Sequence, residues 1–185
     1  MDLIDGILSR QSVAGLGEPA PSSAVLHRAF RCALAAPDHG RLRPWRFVVC
    51  HGEERPKLGK LLGQSMKRRQ PDATEDMIAQ EEARALRAPL IITALCRPPS
   101  TERIPEIEQM LAVGAAVQNM CLALHADGFG AIWRTGPAAY DPEVAAALGF
   151  GPSARIVGFI YVGTPLQKTH DVTRPLPDAY VRHLA

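Results

Sequence analysis

No two cysteines in this chain are spaced as C-x-x-C. The four, Cys32, Cys50, Cys96 and Cys121, stand far apart in apolar surroundings. Structural zinc and thioredoxin-like exchange therefore lack their ligand spacing, and buried free thiols in a reducing compartment are expected. G-x-S-x-G is also absent, which leaves acyl-transfer chemistry without its nucleophile turn. Neither sign of charge dominates: 21 Lys and Arg oppose 19 Asp and Glu, for a formal net charge of +2. A nucleic acid is then not the default partner. Lys67-Arg68-Arg69 is the one basic cluster, and it reads first as a solvated helix end. No apolar run reaches the ~18 residues of a membrane span. The opening M-D-L-I-D-G has neither a basic n-region nor a long apolar core, so no signal peptide is visible. The expectation is a cytoplasmic protein with no membrane partner.

What is present is an ordinary globular composition, 46% hydrophobic and 22% charged over 185 residues. That suits one domain over 1–185, or a compact unit finished by a partner. Helical spacing of apolar residues predicts helices over 2–9 (N-cap Asp2), from Ser22 or Ser23 to before Pro37, over 56–66, over 75–86 and over 142–148 (N-cap Asp141). The longest pattern runs over 106–126, and its middle, Ala112 to Val117, is small or apolar all round. It reads as a buried helix that another helix can approach closely. Short β-rich runs predict strands over 47–50, 90–95, 129–134 and 156–162, the run L-I-I-T-A-L being suited to a strand covered on both faces. The tail from Leu166 has no strong period and is expected to drape over the body or over a partner. Helices alternating with a few buried strands give an α+β or α/β layer fold.

Three polar and aromatic islands interrupt this pattern: Arg10-Gln11-Ser12, the run A-P-D-H-G-R-L-R-P-W-R-F over 36–47, and G-F-G-A-I-W-R-T-G over 128–136. Arginines that can hold a phosphate, glycines that admit close approach and flat side chains are what an anionic planar cofactor needs. Taken singly, each island has a plainer reading. Arg10 suits the last carbonyls of the first helix as well as a phosphate. His39 suits a solvated turn, and Trp45 a core anchor. Gly128 suits the αL position after a helix. The G-x-G at 128–130 is a poor dinucleotide fingerprint, because Trp133 stands where the third glycine belongs.

In their order and placement the islands are more specific. R-Q-S near residue 10, A-P-D-H-x-x-x-x-P-W-x-F, the L-I-I-T strand, the long helix running into H-A-D-G-F-G-A-I-W-R-T-G, and I-V-G-F-I-Y-V-G-T-P together resemble the FMN-dependent nitroreductase family. The likeness is to its compact bacterial branch of NAD(P)H nitroreductases and runs from about Ile7 to Pro165. It implies an α+β sandwich with a mostly antiparallel central sheet flanked by helices, built as an intertwined homodimer with FMN at the subunit interface. It implies that Arg10, Gln11 and Ser12 hold the phosphate and ribityl end. His39 would reach the cofactor across the dimer, and Trp133, Arg134 and Thr135 would line the flavin. Ala123 to Gly128 would meet the nicotinamide cofactor, and residues 64–80 would form a lid. Arg43 stands where the family has Gln or Asn, and either faces the flavin or points to solvent. Gln11 replaces a second arginine, Ala35 replaces a longer basic residue, and Arg174 resembles tail arginines that reach the phosphate. The implied reaction is ping-pong, with FMN taking hydride from NAD(P)H and passing electrons to a nitroaromatic, quinone or similar small-molecule acceptor. Two alternatives stay open: reductive dehalogenation or flavin fragmentation on the same fold, and a dimer that binds flavin or a tetrapyrrole without turnover.

Overall fold

A computed structural model describes residues 1–98, 103–168 and 172–184. Six α-helices are present among them, α1 (Leu3–Ser9), α2 (Ser23–Ala33), α3 (Glu54–Arg69), α4 (Glu75–Ala83), α5 (Glu106–Ala126) and α6 (Pro142–Ala147). The five strands are β1 (Leu16–Gly17), β2 (Trp45–His51), β3 (Leu90–Cys96), β4 (Gly130–Arg134) and β5 (Arg155–Pro165). Local chemistry sets most boundaries. Asp2, Ser22, Thr74 and Asp141 each accept an amide hydrogen bond at a helix start, and each satisfies a donor the helix cannot. At the end of α5, Gly128 adopts φ 84°. Its amide donates to the His125 carbonyl while the Phe129 amide donates to the Leu124 carbonyl, the pairing of a Schellman cap. The helical pattern over 75–86 ends in a 3-10 turn, Arg84–Leu86.

The sheet is antiparallel throughout, with β5 at its centre. One edge of β5 pairs with β3, which pairs in turn with β2; the other edge pairs with β4 and, beyond it, with β1. Alternation along β5 sends Ile160 and Val162 into a core shared with α2 and α5. Phe159 and Tyr161 go into a second core, with Leu58 and Leu62 of α3 and Val144 of α6. β3 is buried at every position, as a strand covered on both faces must be. Trp45 is buried in the first core, where its anchor reading put it. The candidate lid, residues 64–80, forms the end of α3, a turn and the start of α4. This hairpin packs closely because Gly63 and Gly59 face Glu82 with no room for a side chain. Arg68 of the basic cluster is not simply solvated: it reaches Asp141 at 2.8 Å and ties α3 to α6.

Two expectations are corrected. Cys32 is exposed, while Cys50, Cys96 and Cys121 are buried; position 32 lines an open hollow beside Asn119 and Leu122 of α5 rather than the closed core. Helix α5 is not buried all round. Ala112, Val113, Ala116, Val117 and Met120 are covered, whereas Ile107 and Leu111 are 61% and 66% exposed, so one face remains to be covered. By length and composition that helix could also span a bilayer, but 44% of its most apolar stretch is buried inside the protein. Polar residues such as Gln109 and Asn119 keep each apolar run in it short.

Candidate functional site

The first and third islands meet. Helix α1 ends at Ser9, and the chain then runs beside β4, with Ser12 opposite Ala131 and the Val13 amide donating to the Ala131 carbonyl at 3.1 Å. Beside this crossing lies a cleft of about 240 Å³, lined by Arg10, Gln11, Val13, Cys121, His125 and the segment 128–131. Gly130 permits the approach of the two segments: a Cβ there would stand 2.7 Å from Leu16 and 3.1 Å from Val13. The Ser9 hydroxyl and His125 Nε2 are 2.9 Å apart, which joins the end of α1 to the end of α5.

Arg10 Nε is buried and has no hydrogen-bond partner among the described residues. The plainer reading gave Arg10 the last carbonyls of α1. Those carbonyls are held instead by Arg174, whose guanidinium donates to the Leu8 oxygen at 3.3 Å and to the Arg10 oxygen. The tail thus fastens the backbone at Arg10 and releases its side chain. An unsatisfied buried guanidinium N–H is costly, and an anion in the cleft removes that cost. Phosphate fits the donor set: a fixed cation, the neighbouring Gln11 and Ser12, and a glycine-bearing wall. The positive charge of Arg10 has a second effect. Burial, then Arg10, hold His125 below its ordinary pKa, and both favour the uncharged imidazole. Sequence reasoning passed over Ser9, whose only signal was a polar residue at a helix end, and reached His125 only as part of the 123–128 stretch expected to meet the nicotinamide cofactor.

Trp133 and Arg134 part company. They are successive on β4, so their side chains take opposite faces of the sheet. Trp133 lies on the α5 side: its Nε1 donates to the Val157 carbonyl at 3.1 Å, its ring rests on Gly158, and its edge is 3.6 Å from where a Gly114 Cβ would be. Two missing side chains make the slot for this indole, which stays 39% exposed. Arg134 and Thr135 line a pocket on the α3–α4 side with Arg84, Arg87 and Tyr161, and Trp133 reaches its edge as well.

The second island sits elsewhere in the chain. Its loop carries three positive φ values, Gly40 at 69°, Arg41 at 54° and Arg43 at 50°, and the last two are uncommon for residues with a Cβ. The Arg43 amide donates to the Asp38 carboxylate at 2.7 Å, which supports that turn. The Arg43 side chain is exposed. His39 Nδ1 is 2.9 Å from Glu108 at the start of α5. His39 and Arg10 thus mark opposite ends of one helix. The seventeen residues from Glu108 to His125 span about 25 Å. Ala35 lies in another hollow with Leu122, Asn119 and Cys32, so the loss of a basic residue there leaves that hollow apolar. Among the described residues, no cluster of His, Cys, Asp and Glu can hold a metal.

The comparisons with known proteins fit this geometry. The model of the nitroreductase family matches residues 7–164. The chain is 37% identical to the Escherichia coli protein named "Putative NAD(P)H nitroreductase YdjA" over 186 aligned positions, covering 99% of this chain and 100% of that one. Among solved structures, it superimposes on a nitroreductase-like family protein from Bacillus cereus with a TM-score of 0.84 at 24% identity, covering 100% of this chain and 96% of the other. It also superimposes on a mutant of the FMN- and NADPH-dependent nitroreductase NfnB from Sphigopyxis sp. strain HMH, with a TM-score of 0.78 at 20% identity and full coverage of both chains. An antiparallel five-stranded sheet between two helical layers, the R-Q-S segment brought beside Ala131 of the third island, and a family match over most of its length establish that this chain belongs to the nitroreductase family.

Proposed function

We propose that this protein is an FMN-dependent oxidoreductase that takes hydride from NAD(P)H and passes electrons to a nitroaromatic, quinone or similar acceptor. The observation that carries the reading is the buried, unpartnered Nε of Arg10 at a cleft wide enough for a phosphate. When bound, FMN supplies the hydride and electron chemistry; the chain supplies grip, orientation and cover. Arg10 pairs with the phosphate, with Gln11 and Ser12 beside it. Because Gln11 is neutral, the phosphate end rests on fewer charges than two arginines would give. Ala123 to Gly128 closes the same end. Trp133 offers a flat surface on the α5 side, and Thr135 follows it.

The distance between His39 and Arg10 supports a shared site. One ligand that touches both takes them from two copies. Two α5 helices related by a two-fold axis run antiparallel, and the start of one lies beside the end of the other. We therefore read the protein as a homodimer in which the loop of one protomer, with His39 and Arg43, completes the cleft of its partner. With Nδ1 held by Glu108, Nε2 is the nitrogen left for the ligand. Both cores share one sheet, which supports reading residues 1–185 as a single FMN-binding domain. Four free thiols support a reducing, cytoplasmic setting. No nucleic acid or membrane enters this reading.

The test is anaerobic. Purified protein is expected to be yellow or to take up FMN, and NAD(P)H is expected to bleach it, with colour returning on addition of a nitroaromatic. FMN uptake without bleaching points instead to the binding protein without turnover. Bleaching without reoxidation by nitroaromatics or quinones points to another acceptor class, such as halogenated compounds. Refusal of FMN ends the reading.

A further inference from the structure

Two helices end at the Arg10 cleft, and both point the wrong way for an anion. Helix α1 stops at Ser9 and α5 at Ala126, and the carbonyl end of a helix carries partial negative charge. A phosphate there depends on side-chain cations. Among the side chains that line the cleft, Arg10 is the one fixed cation, since Gln11 is neutral. His125, half-buried in the last turn of α5, lines the same cleft. Its Nε2 is 2.9 Å from the Ser9 hydroxyl. A hydroxyl donates to a neutral imidazole or accepts from a protonated one, so this contact holds the ring in either state. The remaining ionisable side chains around the ring are already engaged or uncharged. Arg174 donates to the Leu8 and Arg10 carbonyls, Asp127 is paired with Arg28 at 3.0 Å, and burial pushes the Cys121 thiol up to about 11. Burial and Arg10 both oppose a charge on His125. An anion beside the two side chains acts in the opposite direction to Arg10 and favours the imidazolium.

Resting on the flavin reading, we propose that His125 takes up a proton from solvent as the FMN phosphate enters and so serves as the second side-chain cation of its site. Arg10 supplies a permanent charge, and His125 one that is made only when the anion is there to pair with it. Affinity for FMN then rises as pH falls, because the liganded form holds the extra proton. Fluorescence titration of the full chain at pH 6.5 and pH 8.5, at one ionic strength, compares FMN with riboflavin, which lacks the phosphate. Both pH values lie above the second phosphate pKa of about 6, so the ligand stays mainly dianionic. From pH 8.5 to pH 6.5 the parent protein should gain about fivefold more affinity for FMN than for riboflavin. His125→Gln, which keeps a hydrogen-bonding side chain for Ser9, should reduce the FMN gain to that of riboflavin. The Met1 amino group, on the same cleft, and His39 are common to parent and variant, so the difference reads His125 alone. Where the variant fails to fold, calorimetry of the parent at pH 7.5 in two buffers of different ionisation enthalpy counts protons, and FMN should take up more than riboflavin. An FMN gain that survives His125→Gln, or equal proton uptake with the two flavins, overturns this proposal and leaves the flavin reading standing. Refusal of FMN at both pH values overturns the two together.

Discussion

At the scale of single residues, two arginines divide one task. Arg174 satisfies the carbonyls at the end of α1, and Arg10, relieved of that role, keeps a buried N–H for a ligand. Arg10→Ala should weaken FMN binding by roughly 1.5–3 kcal/mol, the scale of a charge-assisted contact. Fluorescence titration of the apoprotein reads this directly, and unchanged affinity removes the phosphate assignment. The thiols make a second case. Burial pushes Cys96 up to about 11, with Glu106 adding to the rise and Arg155 opposing it. Burial also pushes Cys121 up to about 11 although Arg10 opposes it. Little thiolate is available at either. Mass spectrometry after mild alkylation should find Cys96 and Cys121 unmodified in the folded protein and modified once it is unfolded. Rapid native alkylation of Cys121 would mean that the cleft wall opens.

At the scale of elements, close packing is achieved by omission. The Trp133 indole occupies space that a Gly158 side chain would take, and its own N–H is satisfied by β5. Gly158→Ala forces a collision with the ring, and overpacking of this kind costs about 1–3 kcal/mol. The expected outcome is a lower melting temperature with tryptophan emission shifted to the red as the indole is expelled. Normal emission and stability together would contradict the slot. The start of α6 gives a pH prediction. Burial pushes the Asp141 carboxyl up, yet hydrogen bonds from Ser65, Arg68 and the Glu143 amide hold it below its ordinary value. A depressed folded pKa means that the contribution is complete above the unfolded value, about 3.9, and is lost as pH falls through the folded one. Asp141→Asn keeps a competent cap but loses the ion pair to Arg68, whose exposure screens it. It should cost about 1 kcal/mol at neutral pH and nothing in strong acid. Denaturant titrations at the two pH values check this, and an equal cost at both would show that charge is not the cause.

At the scale of the whole molecule, apolar residues point outward on two helices: Leu3, Ile4, Ile7 and Leu8 on α1, and Ile107 and Leu111 on α5. Exposed apolar side chains of this number mark a surface that associates. Leu111→Glu changes a residue that is 66% exposed in the single chain, so the chain's own fold does not depend on it. In the proposed homodimer it places a charge against an apolar face. Light scattering should show a dimer for the parent protein and a monomer for the variant, with FMN affinity falling together with the assembly. A variant that remains a dimer would move the interface off this face of α5.

Helix starts, the long central helix and the buried β3 strand were legible in the chain because capping and periodicity are local properties. So was the likeness to a family, since three islands in a set order survive without any coordinates. β1 was not legible: two residues carry no period, and Leu16 and Gly17 pair only because β5 passes them. Nor could sequence decide which of Arg10 and Arg174 would serve the α1 carbonyls, since both are long cations and only the path of the tail selects between them. The split between Trp133 and Arg134 needed the register of β4 on β5, because alternation says that neighbours diverge but not which side each one faces. The distance from His39 to Arg10 needed α5 as a straight rod between them. Residue chemistry along the chain determined the elements and the kinds of group that could bind an anion. Pairing across the sheet and packing of helix ends, which join residues more than a hundred positions apart, decided which of those groups share a cleft.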